Sequence, residues 1–102
     1  MELIIERQWD NPLLKRKEVY FRVKYWDTKV TPPRKEVREK LSGLLNAELD
    51  RLVIRWMKPE FGKMEAEGYA LIYETPEDMR SIEEDYILKR NFGEEEEGEG
   101  EE

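Results

Sequence analysis

Lys15-Arg16-Lys17 sets three consecutive cations beside the turn Asp10-Asn11-Pro12, and Arg34 and Arg38 stand one helical turn apart. Guanidinium and ammonium groups clustered this way can bind phosphate oxygens without needing a base sequence. The same basic run is equally a solvated loop that keeps an edge strand from pairing with another chain. On the residues alone both readings stand. Carboxylates offer a different chemistry: Glu65 and Glu67 could be drawn as an acid/base pair. At i,i+2 on a strand, however, they simply share one surface. The chain has no His and no Cys, which removes imidazole bases, thiol nucleophiles, disulfides and zinc–thiolate sites. Ser42 and Ser81 are its only serines, so no Ser-His-Asp triad can form. P-loop, dinucleotide-turn and nucleophile-elbow patterns are missing as well. No enzyme is expected, and no cofactor or metal.

Charge must be read by segment. The formal net charge is −7, but residues 94–102 hold seven glutamates, so residues 1–93 balance at 18 acids and 18 bases. Within that body residues 1–58 carry 14 bases and 9 acids, and residues 59–93 carry 4 bases and 9 acids. Such polarity admits an anionic partner that the bulk pI of about 4.8 would argue against. A charged fraction of 42% with a single Gln gives a thermophile-like composition. At 102 residues the chain suits one domain, expected over 1–92. A Gly/Glu tail over 93–102 is expected to be disordered, because it can bury no apolar surface. Met1–Glu6 lacks the basic flank and apolar stretch of a signal peptide, and no run approaches the ~18 apolar residues of a membrane span. A cytoplasmic protein without membrane association follows as the expectation.

The elements that would position these groups can be read from periodicity. Residues 2–9 alternate, with Leu3, Ile5 and Trp9 on one side and Glu2, Glu6 and Gln8 on the other. Val19, Phe21, Val23 and Tyr25 alternate with Tyr20, Arg22, Lys24 and Trp26 in the clearest strand. A helix over 31–46 follows, with Val37, Leu41, Leu44 and Leu45 at i, i+4, i+7 and i+8. Thr31 suits its N-cap, Pro32 its first position and Asn46 its stop. Its charged face is expected to carry Arg34, Lys35, Glu36, Arg38, Glu39 and Lys40. Lys35–Glu39 and Glu36–Lys40 can satisfy one another at i,i+4, which leaves Arg34 and Arg38 freer to meet a partner.

Leu52, Ile54 and Trp56 alternate with Val53, Arg55 and Met57 in a third strand, and Ala66, Gly68, Ala70 and Ile72 with Glu67, Tyr69, Leu71 and Tyr73 in a fourth. One sheet face would then hold Tyr20, Trp26, Met57, Tyr69, Leu71 and Tyr73, too apolar to stay bare. A second helix opening at Thr75-Pro76, with Met79, Ile82 and Tyr86 toward the sheet, is the expected cover.

Four stretches occur together in order: Asn11-Pro12-Leu13-Leu14-Lys15-Arg16-Lys17-Glu18-Val19, Thr31-Pro32-Pro33-Arg34-Lys35-Glu36-Val37-Arg38-Glu39-Lys40-Leu41, Phe61-Gly62 with Gly68-Tyr69-Ala70-Leu71-Ile72-Tyr73, and Tyr86-Ile87-Leu88-Lys89-Arg90-Asn91. Over about residues 2–91 the chain resembles the e-type small-subunit ribosomal protein 24 family, in an archaeal-like form. The resemblance implies an α+β fold: a four-stranded antiparallel sheet in the order 1-2-4-3, with two helices around a split β-α-β core. It also implies a non-catalytic constituent of the small ribosomal subunit in the cytoplasm. Its partners would be small-subunit ribosomal RNA and neighbouring ribosomal proteins, the isolated chain being monomeric.

By position, the family's basic loop falls on Lys15, Arg16 and Lys17, and its helix-start arginine on Arg34. Its Phe-Gly loop falls on Phe61 and Gly62, followed here by Lys63, and its C-terminal basic pair on Lys89 and Arg90. With Arg38 these are the candidate RNA contacts. Members commonly carry Ser or Thr at the position of Pro33 and proline at that of Glu84, so capping should move to Thr31 and the second helix should run on. The alternative function is a protein-interaction module that uses the aromatic sheet face and the acidic tail.

Overall fold

In the computed structural model, residues 1–28, 30–60 and 62–92 are described with their side chains, and the disordered tail expected over 93–102 lies outside that description. Four antiparallel strands, β1 (Glu2–Asn11), β2 (Arg16–Lys24), β3 (Leu52–Glu60) and β4 (Glu65–Tyr73), form one sheet in the order β1-β2-β4-β3. This is the split arrangement expected: α1 (Arg34–Leu45) connects β2 to β3, and β4 returns between them. Inner strand β2 pairs Arg16 with Tyr73 at one end and Lys24 with Glu65 at the other. Its alternation places Val19, Phe21 and Val23 in the core beneath α1. Opposite Phe21 stands Gly68. A Cβ there would lie 2.0 Å from Phe21 Cζ, so the ring occupies the space a side chain would need.

Helix α1 departs from its sequence reading at its start and on one face. It begins at Arg34 behind Pro33, which supplies no side-chain cap. Thr31, the expected cap, donates its hydroxyl to Tyr25 Oη instead (3.3 Å). The stop is as expected: Asn46 adopts the left-handed conformation (φ 52°) and donates its N–H to Ser42 O. Val37 and Leu41 are buried, whereas Leu44 is 55% exposed, and Arg38 takes a place in the interior rather than on the expected solvated face. Its guanidinium reaches carbonyls that end or flank neighbouring elements and must be satisfied where they are buried.

The two edge strands also depart from simple alternation. A β-bulge interrupts β1 between Ile5 and Arg7, so Ile5 opposes Phe21 and Arg7 opposes Tyr20. Another interrupts β3 between Ile54 and Trp56, so Ile54 opposes Ala70 and Trp56 opposes Tyr69. Each extra residue reverses the facing of everything beyond it. Trp9 therefore leaves the side of Leu3 and Ile5, and Trp56 leaves the side of Ile54. Both join Tyr20 and Tyr69 on the face away from α1. Met57 moves the other way and packs into the α1 core.

The expected second helix is two. Helix α2 (Pro76–Ile82) starts under a Thr75 cap that accepts from Asp78 N (3.1 Å), and α3 (Asp85–Gly100) follows. The break falls at Glu83, whose side chain turns fully inward and accepts a hydrogen bond from Tyr73 Oη, with Arg16 Nη1 at 3.7 Å. The Glu83 backbone is extended (φ −75°, ψ 143°), and this separates the two helices. Met79 and Ile87 consequently fill the core against Val53, Leu71 and Tyr73, whereas Ile82 and Tyr86 are exposed. Helix α3 also reaches the free edge of β3. There the Asn91 amide accepts from Ile54 N (2.7 Å) and donates to Ile54 O (2.8 Å), closing an edge that could pair with another chain. No helix among the described residues is long and apolar enough to cross a membrane.

Arg16 belongs to a wider polar network under α2. It donates to Glu18 (2.9 Å) and to Tyr73 Oη (2.8 Å), while Glu18 also accepts from Tyr69 Oη (2.8 Å) and Asn11 (2.9 Å). Burial pushes the Glu18 carboxyl up, but the three donors together outweigh it and hold the group below the usual range. For Tyr69, burial and then the bond to Glu18 act together and raise the phenol to about 12.

Two outcomes follow. Leu41→Ala should cost about 2–5 kcal/mol and Gly68→Ala about 1–3 kcal/mol, because the latter forces the Phe21 ring out of place; urea unfolding at neutral pH measures both. The raised Tyr69 pKa stabilises the fold fully below the unfolded value of about 10, and this contribution disappears as pH climbs toward about 12. The urea midpoint should fall over that interval, and less steeply in Tyr69→Phe.

Candidate nucleic-acid interface

Arg38 anchors the best-defined cationic site. Its Nε donates to Leu52 O (3.2 Å), Nη1 to Asn91 O (2.9 Å) and Nη2 to Leu49 O (2.7 Å), while its guanidinium carbon lies 4.2 Å from the Phe92 ring centroid. It ties α1 to the start of β3 and to α3, and its donors are turned inward. One turn earlier Arg34 occupies the first position of α1, and one residue before Asn91 stands Arg90. Burial, and after it the positive charge of Arg90, push the Arg34 pKa below its ordinary value. Arg34 Nε is buried without a hydrogen-bond acceptor. Among the described residues neither arginine has a carboxylate partner; Arg90 lies over the Tyr86 ring (5.8 Å). Two guanidiniums thus share the uncapped, electropositive end of a helix. Lys89 is exposed beside them.

The β1–β2 hairpin presents a second group. Lys15, in the left-handed conformation (φ 52°), is exposed at its tip, and its carbonyl is tied to Glu74 N (3.1 Å). Lys17 is half-buried. Arg16, between them, points the other way into the Glu18–Tyr73–Glu83 network, with a side chain only 8% exposed. Strand alternation separates Arg16 from Lys17, its neighbour on β2. Leu13 projects beside Lys15, 91% exposed. In the β3–β4 turn, Gly62 supplies the positive φ (79°) and Lys63 pairs with Glu60 (3.3 Å); Phe61 lies outside the described residues.

These groups do not meet at one point. Lys15 sits by the Arg16–Tyr73 end of the central strand pair and Lys63 by its Lys24–Glu65 end, about 27 Å apart at the rise of a strand. The charge of Arg90 reaches Arg34, and Lys15 and Lys17 flank Arg16 in the β1–β2 hairpin. The structure withdraws Arg16 and Arg38 into intramolecular contacts. Periodicity also passes over Arg7, whose guanidinium lies 5.4 Å from both the Trp9 and Tyr20 rings. Placing Arg7 beside Tyr20 requires the β1 bulge, which no alternation count reveals.

Residues 1–92 match the profile of ribosomal protein S24e. The chain is 49% identical over its whole length to a protein of Archaeoglobus fulgidus, covering 91% of that relative, named small ribosomal subunit protein eS24. Proteins of the same name are 46% identical in Methanosarcina mazei, over all of this chain and 99% of the relative, and 35% identical in Haloquadratum walsbyi, over 89% and 85%. The chain belongs to the ribosomal protein S24e family.

Proposed function

We propose that this protein is a non-catalytic structural constituent of the small subunit of the cytoplasmic ribosome, held there by contacts between its exposed cations and ribosomal RNA, with ribosomal proteins as its other neighbours. Family membership supports the subunit assignment. For the RNA contacts, the observation that carries the reading is the juxtaposition of Arg34 and Arg90 without a counter-ion among the described residues. Holding two guanidiniums together, one of them partly desolvated, costs free energy that an incoming phosphate returns as charge-assisted hydrogen bonds. The open first turn of α1 adds N–H donors at the same place.

Lys15 and Lys17 serve as a second phosphate contact, and Lys89 and Lys63 as weaker ones. Arg16 and Arg38 act differently. They hold the hairpin and the helices in the shape that presents the other cations.

Binding to small-subunit RNA at a series of salt concentrations tests this. Arg34→Ala with Arg90→Ala, and separately Lys15→Ala with Lys17→Ala, should weaken binding and flatten the log–log salt slope by roughly 0.7–0.9 for each phosphate no longer neutralised. Both double variants should keep the wild-type unfolding free energy in urea to within about 0.5 kcal/mol, whereas Arg38→Ala should lose stability. Unchanged affinity and slope in both double variants would overturn the RNA contacts while leaving the family assignment in place.

A further inference from the structure

Helices α2 and α3 cover the half of the outer sheet face that holds Val53, Leu71 and Tyr73 and leave the other half open. Four rings are continuous on the open half. Tyr20 lies 5.5 Å from Trp9, 6.2 Å from Trp56 and 4.8 Å from Tyr69, stacked against the last. Trp9 and Trp56 are each 38% exposed. A cleft of about 390 Å³ opens between Arg7, Tyr20, Trp56, Glu6 and Glu67. Exposed tryptophan and half-buried tyrosine joined by an arginine is the composition of protein-interface hot spots. The phosphate site at Arg34 and Arg90 makes no use of it.

Charge decides which occupant fits. Arg22, next to the rings, is shared among Glu6 (3.1 Å), Glu60, Glu65 (3.1 Å) and Glu67 (2.9 Å). One guanidinium therefore serves four carboxylates, two of which, Glu6 and Glu67, are 40% and 44% exposed. Lys63 reaches Glu60 (3.3 Å). Lys24 and Lys58 stand opposite Glu65 and Glu67 in the register, but among the described residues no ion pair joins them to these carboxylates. An RNA backbone laid here would meet these carboxylates, with Arg7 on the rings and Lys24 and Lys58 farther along the strands as the cations left to receive it. A cationic side chain would find both of its preferred partners, a ring face and carboxylates. Arg7 already displays the first contact by lying over Trp9 and Tyr20.

We propose that this open half-face docks an arginine-bearing basic segment of a partner protein, with a guanidinium stacked on Trp56 and Tyr20 and bonded to Glu6 and Glu67. The site is separate from the Arg34–Arg90 pair, so its fate and that of the RNA reading are decided independently.

Tryptophan emission of the full-length chain carrying Trp26→Phe reports Trp9 and Trp56 alone, and peptide held elsewhere on the acidic chain leaves it unchanged. An octapeptide of alternating arginine and glycine should produce a saturable change in emission. Glu6→Gln with Glu67→Gln, both at exposed carboxylates, should weaken it about fivefold, and Trp56→Leu with Tyr20→Leu should abolish it. An unchanged thermal midpoint in the Gln variant shows that peptide binding, and not folding, is what the substitutions weaken. Three results overturn the proposal: emission unmoved by the peptide, an undiminished response in the Gln variant, or a larger response to a uridine octamer, which makes the face a nucleic-acid platform. Sedimentation as a dimer that protects both tryptophans would also overturn it, in favour of a second copy of the chain.

Discussion

The buried contact between Arg38 and Asn91 joins the three parts of this fold that no sheet hydrogen bond connects. Arg38 comes from α1, beneath the sheet, and Asn91 from α3, which starts over the opposite face. Asn91 in turn satisfies both backbone groups of Ile54 on the free edge of β3 and accounts for a third hydrogen bond to Ile87 O (2.9 Å). A buried guanidinium and a buried amide are costly unless their donors find acceptors, so the pair admits one register of α3 against β3 and α1. That register sets the cationic site. Arg34 lies one turn from Arg38 on the same helix side, and Arg90 is the neighbour of Asn91. The interior contact thus places Arg90 close enough for its positive charge to act on the half-buried Arg34.

A similar relation governs the outer face. The bulges in β1 and β3 turn Trp9 and Trp56 toward Tyr20 and Tyr69, and the cover formed by α2 and α3 lies over Val53, Leu71 and Tyr73. One half of the face is thereby closed by Met79 and Ile87, and the other remains a row of rings beside the carboxylates gathered on Arg22. The molecule so presents two chemically opposed surfaces. Guanidiniums without counter-ions among the described residues stand at the start of α1, and carboxylates gathered on Arg22 stand beside the aromatic row.

Much of this is legible from the residues. The alternation in β2 and β4 needs no tertiary information, because both strands are regular and their period is 2. Asn46 announces the end of α1, since it tolerates the left-handed conformation that stops a helix. The absence of His and Cys narrows the chemistry by composition alone, and four motif stretches in order point to the family. The cations themselves are all visible as residue types.

Their roles are not. Lys15, Arg16 and Lys17 are indistinguishable as a run, yet Arg16 is committed to Glu18 and Tyr73 while its neighbours stay available. Arg38 looks like any charged residue on an amphipathic helix until the carbonyls of Leu49, Leu52 and Asn91 are placed around it. Simple alternation puts Trp9 and Trp56 on the wrong face, because a bulge adds one residue to a two-residue period without altering composition. Local sequence determines period, turn and stop through short-range sterics and hydrogen bonds. Whether a cation is used inside the fold or left for a partner depends on acceptors supplied by segments distant in the chain, and only their assembly in three dimensions decided that.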